Sequence, residues 1–240
     1  MTERAVLDFS QFEVLTFDCY GTLVDWESGI LTALHPILER HNIKLSDDEL
    51  LETYAVAESR AEAGDFKPYK QVLQQVVRDL GAKFAFQPTE QEQRSLPESV
   101  PTWRPFPDTV AALKRLHRRY KLSIISNIDD DLFAGTARLL DVPFDFVTTA
   151  LEVGSYKPSL NNFHRALKKM NVSKERVLHV AQSLYHDIEP ARALGIHSVW
   201  VNRRSGKRGG GATVKSSAKP DIEVPDLKTL ADIALRSLLL

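Results

Sequence analysis

The chain has 240 residues, with 31 Lys and Arg against 32 Asp and Glu, for a formal net charge of −1. Balanced charge argues against a polyanionic partner such as nucleic acid, and a single cysteine, Cys19, excludes an intramolecular disulfide. No apolar run approaches the ~20 residues that span a bilayer, and the polar start, Met1 to Gln11, lacks a signal-peptide core, so the chain reads as cytoplasmic.

In chain order, the apolar run Phe12 to Phe17 reads as a fully buried parallel strand that ends on Asp18 and turns at Gly21 and Thr22. Ligands of open α/β sheets bind beyond the carboxyl ends of the strands. Asp18 at that place serves either as a turn cap or as a carboxylate nucleophile. Its neighbour Cys19 points to the opposite face and reads as packing. A helix is predicted from near Glu27, with Ile30, Leu34, Ile37 and Leu38 on one face and a kink or restart at Pro36. Ser46 and Glu49 form a capping box that opens a helix through Leu50, Leu51, Tyr54 and Ala57. Tyr69, Val72, Leu73, Val76, Val77 and Leu80 mark another helix, ending at Gly81. Residues 26–100 thus read as all-helical, with the proline-bearing stretch Gln87 to Pro101 as the return linker.

From Trp103 onward helices and strands alternate. Helices are predicted at 108–119, 132–140, 161–170 and 188–194, and strands at 121–126, 144–149, 177–180 and 198–201. This alternation predicts an α/β fold with a parallel sheet and right-handed crossovers. The core comprises residues 1–25 and 101–240, interrupted by the helical insertion 26–100. Arg203, Arg204, Lys207 and Arg208 cluster in a Gly- and Ser-rich segment without interleaved aromatics, which reads as a solvated loop rather than a nucleic-acid site. Leu227, Leu230, Ile233, Ala234 and Leu238 form a closing amphipathic helix.

Four strand ends carry polar groups: Asp18, then Ser126-Asn127, then Tyr156-Lys157-Pro158, then Gln182-Ser183 with His186-Asp187. Each alone reads as a turn, a surface lysine or a helix cap. Strand ends at one edge of a parallel sheet converge, so together they make a candidate site. Asp18-x-Tyr20-Gly21-Thr22, Ser126-Asn127, Lys157-Pro158 and Asp187, in this order and spacing, resemble the haloacid dehalogenase superfamily. The resemblance implies a Rossmann-like three-layer core with an inserted helical cap. It also implies Asp18 as nucleophile, Ser126 and Asn127 as oxyanion ligands, and Lys157 as the cation that lowers the Asp18 pKa.

Phosphatases of this superfamily place a second aspartate where this chain has Tyr20, and an acidic metal ligand where it has Gln182. Both departures weaken magnesium-dependent phosphoryl transfer. The resemblance therefore points to the type II, L-2-haloacid dehalogenase-like branch, which implies a hydrolase working without metal or other cofactor. Asp18 would displace a leaving group at C2 of a small carboxylic acid, and water would release a 2-hydroxyacid from the aspartyl ester. Thr22 would orient Asp18, while Lys157, Ser183 and Asp187 position or deprotonate the water. Backbone amides near Tyr20, Gly21 and Thr22, with Ser126 and Asn127, would hold the substrate carboxylate, and Trp26 would form a pocket wall or pack in the cap.

The halide-binding Trp-Arg pair of the dehalogenases is absent from Glu52 to Arg60, which leaves Arg60 as a shifted substitute or a surface charge. The motifs Phe-Asp-Cys-Tyr-Gly-Thr-Leu, Ser-Asn-Ile-Asp, Gly-Ser-Tyr-Lys-Pro and Ser-Leu-Tyr-His-Asp also resemble those of azetidine-2-carboxylate hydrolase. Its amine leaving group takes a proton, for which His186 or Tyr156 is the candidate donor. A phosphatase acting on a small phosphate ester and a non-catalytic binding protein are the remaining alternatives; joint retention of Asp18, Lys157 and Asp187 argues against the second. Resemblance to type II enzymes suggests a homodimer, with no nucleic-acid or membrane partner.

Overall fold

The computed structural model describes residues 7–206, 211–213 and 216–236. Six parallel strands form one sheet in the order β3-β2-β1-β4-β5-β6. They are β1 (Val14–Phe17), β2 (Lys121–Ser126), β3 (Phe146–Thr149), β4 (Val177–Ala181), β5 (His197–Val201) and β6 (Ile222–Val224). The chain builds outward from β1 in both directions, so a crevice opens where the order reverses, beyond the carboxyl ends of the strands. Phe17 is level with Ile124 of β2 and Val180 of β4. That register brings the residues after β1, β2 and β4 to one edge of the sheet.

Strand side chains alternate between faces. Val14, Ile125 and Val177 pack on one face against Phe163, Ala166 and Ala191, from α8 (Leu160–Met170) and α9 (Glu189–Leu194). Leu15, Phe17, Ile124 and Val180 pack on the other, in a cluster with Leu113, Leu132 and Leu230. Those belong to α5 (Thr109–Leu116), α6 (Asp130–Leu140) and α10 (Leu227–Arg236), and a single turn, α7 (Ala150–Val153), follows β3. The parallel sheet is the one that the alternating pattern predicts, and helices on both faces make the three-layer architecture that the resemblance implies.

Between β1 and the rest of the core run α1 (Trp26–Arg40), α2 (Asp47–Glu62), α3 (Tyr69–Lys83) and α4 (Glu90–Ser99). The Ser46–Glu49 capping box opens α2 as expected. Two expectations fail here. The stretch read as a linker contains α4, because Thr89 and Glu92 form a second capping box and Leu96 is buried, while Pro97 sits near the end of the helix. Of the kink or restart expected at Pro36, the restart does not occur: α1 is a single element with Pro36 inside it, and Ile30, Leu34, Ile37 and Leu38 lie on its buried face. The short strand β6 was also unpredicted; it exists through its pairing with β5.

The described part of the basic cluster, Arg203 and Arg204, is not freely solvated. Arg203 is largely buried, donates to the carbonyl of Thr22 and pairs with Asp108 at 2.8 Å; Lys207 and Arg208 lie outside the described residues, as does Leu238. Among the described residues no helix is long and apolar enough to cross a membrane.

Candidate active site

Beyond β1 the chain folds into a tight loop in which the amides of Leu23 and Val24 donate to the Cys19 carbonyl and that of Gly21 donates to Val24. Gly21 has φ +89°, and a Cβ there would lie 2.9 Å from the indole nitrogen of Trp26. Both facts require glycine. The loop carries Thr22 back beneath Asp18, and its hydroxyl donates to Asp18 Oδ2 at 2.7 Å while accepting the Gln182 amide at 2.9 Å. One hydroxyl thus ties the β1 loop to the β4 loop.

Lys157 reaches the same point from the loop before α8. Asn127 holds that loop through both ends of its amide: its oxygen accepts from Lys157 N at 2.7 Å, and its nitrogen donates to Lys157 O at 3.1 Å. The buried Lys157 ammonium donates to Asp18 Oδ1 (2.9 Å), Asp187 Oδ1 (2.6 Å) and the Ile125 carbonyl (2.8 Å). All three of its N–H bonds are spent on these partners. Asp187 is placed by a π-helical turn (Leu184–Ile188) that Ser183 caps by accepting from His186 N at 3.0 Å. His179 on β4 contacts Asp187 Oδ1 at 2.9 Å and Thr16 at 2.8 Å, completing a buried chain beneath the site. Asp187 Oδ2 and Ser126 Oγ are buried with no protein partner.

The charges are unequal in environment. Burial pushes the Asp187 carboxyl up, but Lys157 and His179 overcome it and hold Asp187 below the usual range. Asp18 goes the other way. Burial, opposed by Lys157 and reinforced by Asp187, leaves it above the usual range. Lys157 therefore does favour the Asp18 anion as expected, yet desolvation is the larger influence and the net displacement is upward. For Lys157 itself, burial is outweighed by Asp18 and Asp187, and its pKa is raised, which keeps it charged. Cys19 is fully buried with a raised pKa, in line with a packing role.

The structure brings Asp18, Tyr20, Trp26, Ser126, Asn127, Lys157, Ser183, His186 and Asp187 to one pocket. Several details depart from expectation. The Gly21 and Thr22 amides donate within their own loop and do not face a ligand. Tyr20 offers its ring, while its hydroxyl bonds Thr136 at 2.8 Å. The Tyr156 hydroxyl donates to the Lys67 carbonyl at 2.7 Å, outside this pocket. Burial lowers His186 to about 4, so it is neutral at pH 7 and is not a reservoir of protons. Arg60 is exposed and does not line the pocket. Sequence reading missed Glu58 and Glu62 from α2, Tyr69 from α3 and Thr213 from the loop before β6, all of which line the pocket. The signal for Glu58 was its place on the buried stripe of α2 with Leu50, Leu51, Tyr54 and Ala57.

A family model described as "Hydrolase: haloacid dehalogenase-like hydrolase" matches residues 12–195, which include every element of this site except Thr213. The chain belongs to the haloacid dehalogenase-like hydrolase family. It is 27% identical over 225 residues to (S)-2-haloacid dehalogenase H-109 of Pseudomonas putida, covering 92% of this chain and 96% of that protein. That likeness supports the type II, L-2-haloacid dehalogenase branch. Haloacid dehalogenase-like hydrolase domain-containing protein 3 of Bos taurus is 32% identical over 136 residues, 55% of this chain; the match spans about half, 52%, of that relative. The solved L-2-haloacid dehalogenase of Xanthobacter autotrophicus with chloropropionic acid covalently bound superposes with a TM-score of 0.77 at 18% identity, over 93% of this chain and 98% of that one, which speaks to the shared fold.

Proposed function

We propose that this haloacid dehalogenase-like hydrolase displaces a leaving group at C2 of a small carboxylic acid through a covalent ester on Asp18. The observation that carries this reading is the triad at the sheet edge, in which one buried ammonium bridges two carboxylates of opposite tendency. Asp18 faces the pocket with Thr22 and Lys157 fixing its two oxygens, which aligns it for in-line attack on carbon. The unpartnered Ser126 hydroxyl is free to donate to the substrate carboxylate. Once the ester has formed, Asp187 is the base for water: it stays ionised, and its Oδ2 has no protein partner. Water attacks the Asp18 ester carbonyl, the ester C–O bond to the aspartyl carbon breaks, and the 2-hydroxyacid leaves with inverted C2.

In this reading residues 26–100 act as a cap over a core of 1–25 and 101–240, and the enzyme needs no cofactor. A halide, as the names of its dehalogenase relatives suggest, is one leaving group; a ring amine, as the motif resemblance to azetidine-2-carboxylate hydrolase suggests, is the other. Stereochemical analysis of product from (S)-2-chloropropionate, (S)-2-bromopropionate and L-azetidine-2-carboxylate tests the reading. An inverted 2-hydroxyacid from any of them, in the presence of a chelator, is the expected result. Magnesium-dependent release of phosphate from a small phosphate ester, with no turnover of the three acids, would overturn it.

A further inference from the structure

The pocket wall supplied by α2 is acidic. Glu58 and Glu62 stand one turn apart, so they share a helix face, and both line the pocket beside Asp18 and Lys157. Glu58 is buried and accepts from the hydroxyls of Tyr54, at 2.7 Å, and of Tyr69. Two hydroxyl donors on one carboxylate oxygen pre-organise an anion at a fixed place. Burial pushes Glu58 up to about 7, and burial with the nearby Glu58 charge pushes Glu62 well above the usual range. A cation arriving between them would reverse both effects by favouring the ionised forms.

Among the described residues no free cationic side chain faces that wall. Lys157 is the one Lys or Arg among the described residues lining it, and its three N–H bonds are already made. Arg60 is exposed and does not line the pocket, and His186 is neutral at pH 7. A departing halide would find no free cationic donor at this wall. An ammonium group would find carboxyl oxygens to accept its N–H bonds, and its charge would favour their ionised forms.

Resting on the Asp18 reading above, we infer that Glu58 and Glu62 form a cation subsite that selects substrates whose leaving group at C2 is an ammonium nitrogen. Attack then balances without an added acid. The Asp18 oxygen forms a bond to C2 as the C2–N bond breaks, and the electron pair leaves with nitrogen, which departs as a neutral amine. Glu58 and Glu62 accept the N–H bonds of the ammonium before attack and of the amine after it. This assignment replaces His186 and Tyr156 as partners of the leaving nitrogen.

The test uses L-proline and cyclopentanecarboxylate, two unreactive acids that differ by a ring NH₂⁺ against CH₂, titrated calorimetrically into the wild-type protein at neutral pH. L-Proline is expected to bind at least about tenfold tighter. The Glu58→Gln, Glu62→Gln double variant, and each single variant alongside it, is expected to lose most of that preference. Equal or tighter binding of cyclopentanecarboxylate, binding of neither acid, or a preference that survives in a folded double variant would overturn the inference. These outcomes are independent of turnover. Failure of the Asp18 mechanism is read separately, by isotope incorporation into the protein, so the two cannot be confused.

Discussion

Replacing Lys157 by Met removes one buried charge and leaves two. In the native site the ammonium lies 2.9 Å from Asp18 and 2.6 Å from Asp187, with the Ile125 carbonyl at 2.8 Å. Removing one partner of a buried ion pair costs about 3–5 kcal/mol, and the orphaned carbonyl adds about 1 kcal/mol. The two carboxylates can relieve part of this by sharing a proton, which raises their joint titration above the unfolded-state value of about 3.9. A carboxyl whose folded pKa is raised contributes stability below its unfolded pKa and loses it as pH rises through the folded value. Lys157→Met should therefore be destabilised by about 3–5 kcal/mol near pH 8 and by clearly less near pH 4.5. Urea unfolding of both proteins at both pH values measures the difference. A loss below about 1 kcal/mol near pH 8, or the same loss at both pH values, would refute the claim that the ammonium neutralises this carboxylate pair.

Further expectations follow from the same geometry. Ser126→Ala removes a buried hydroxyl that has no protein partner, so stability should change by less than about 1 kcal/mol while KM rises about tenfold; steady-state kinetics and a melting curve separate the two. Thr22→Val strips Asp18 of one donor and leaves the Gln182 amide without its acceptor. It should cost about 1–3 kcal/mol in a denaturant titration and lower kcat more than KM. His186, lowered from 6.5 to about 4 by burial, contributes stability that is complete above about 6.5 and is lost as pH falls through about 4. His186→Gln should flatten that acid-side loss, by on the order of 1–3 kcal/mol in unfolding free energy compared between neutral pH and about pH 4.

Asp18 and Ser126 were legible because each is a local signal: a short apolar run, then a polar residue at the carboxyl end of a strand. Lys157 and Asp187 lie in the loops beyond their strands and were singled out by the resemblance of the ordered motifs. What escaped depends on tertiary placement. Glu58 lies on the same helical stripe as Leu50, Tyr54 and Ala57, but only the seating of α2 over the sheet edge turns that position into a pocket wall. The net direction of the Asp18 shift escaped for a related reason, since a neighbouring lysine is visible in a sequence motif and the depth of burial is not. The Gly21 and Thr22 amides were expected to face substrate, and closure of their own loop consumes them. In α4 the prolines outweighed a capping box, Thr89 with Glu92, that was present in the sequence. Strand β6 is three residues long and is defined by its neighbour β5.

The most direct measurement is a single turnover in ¹⁸O-labelled water with enzyme in excess over a 2-substituted acid, followed by mass spectrometry of the peptide that contains Asp18. Attack of Asp18 on carbon and hydrolysis of the resulting ester predict that ¹⁸O enters the Asp18 carboxylate, with the first-turnover product unlabelled at its new hydroxyl. Label in the product hydroxyl and none in the peptide would mean that water attacks C2 directly, and would contradict the assignment of Asp18 as nucleophile.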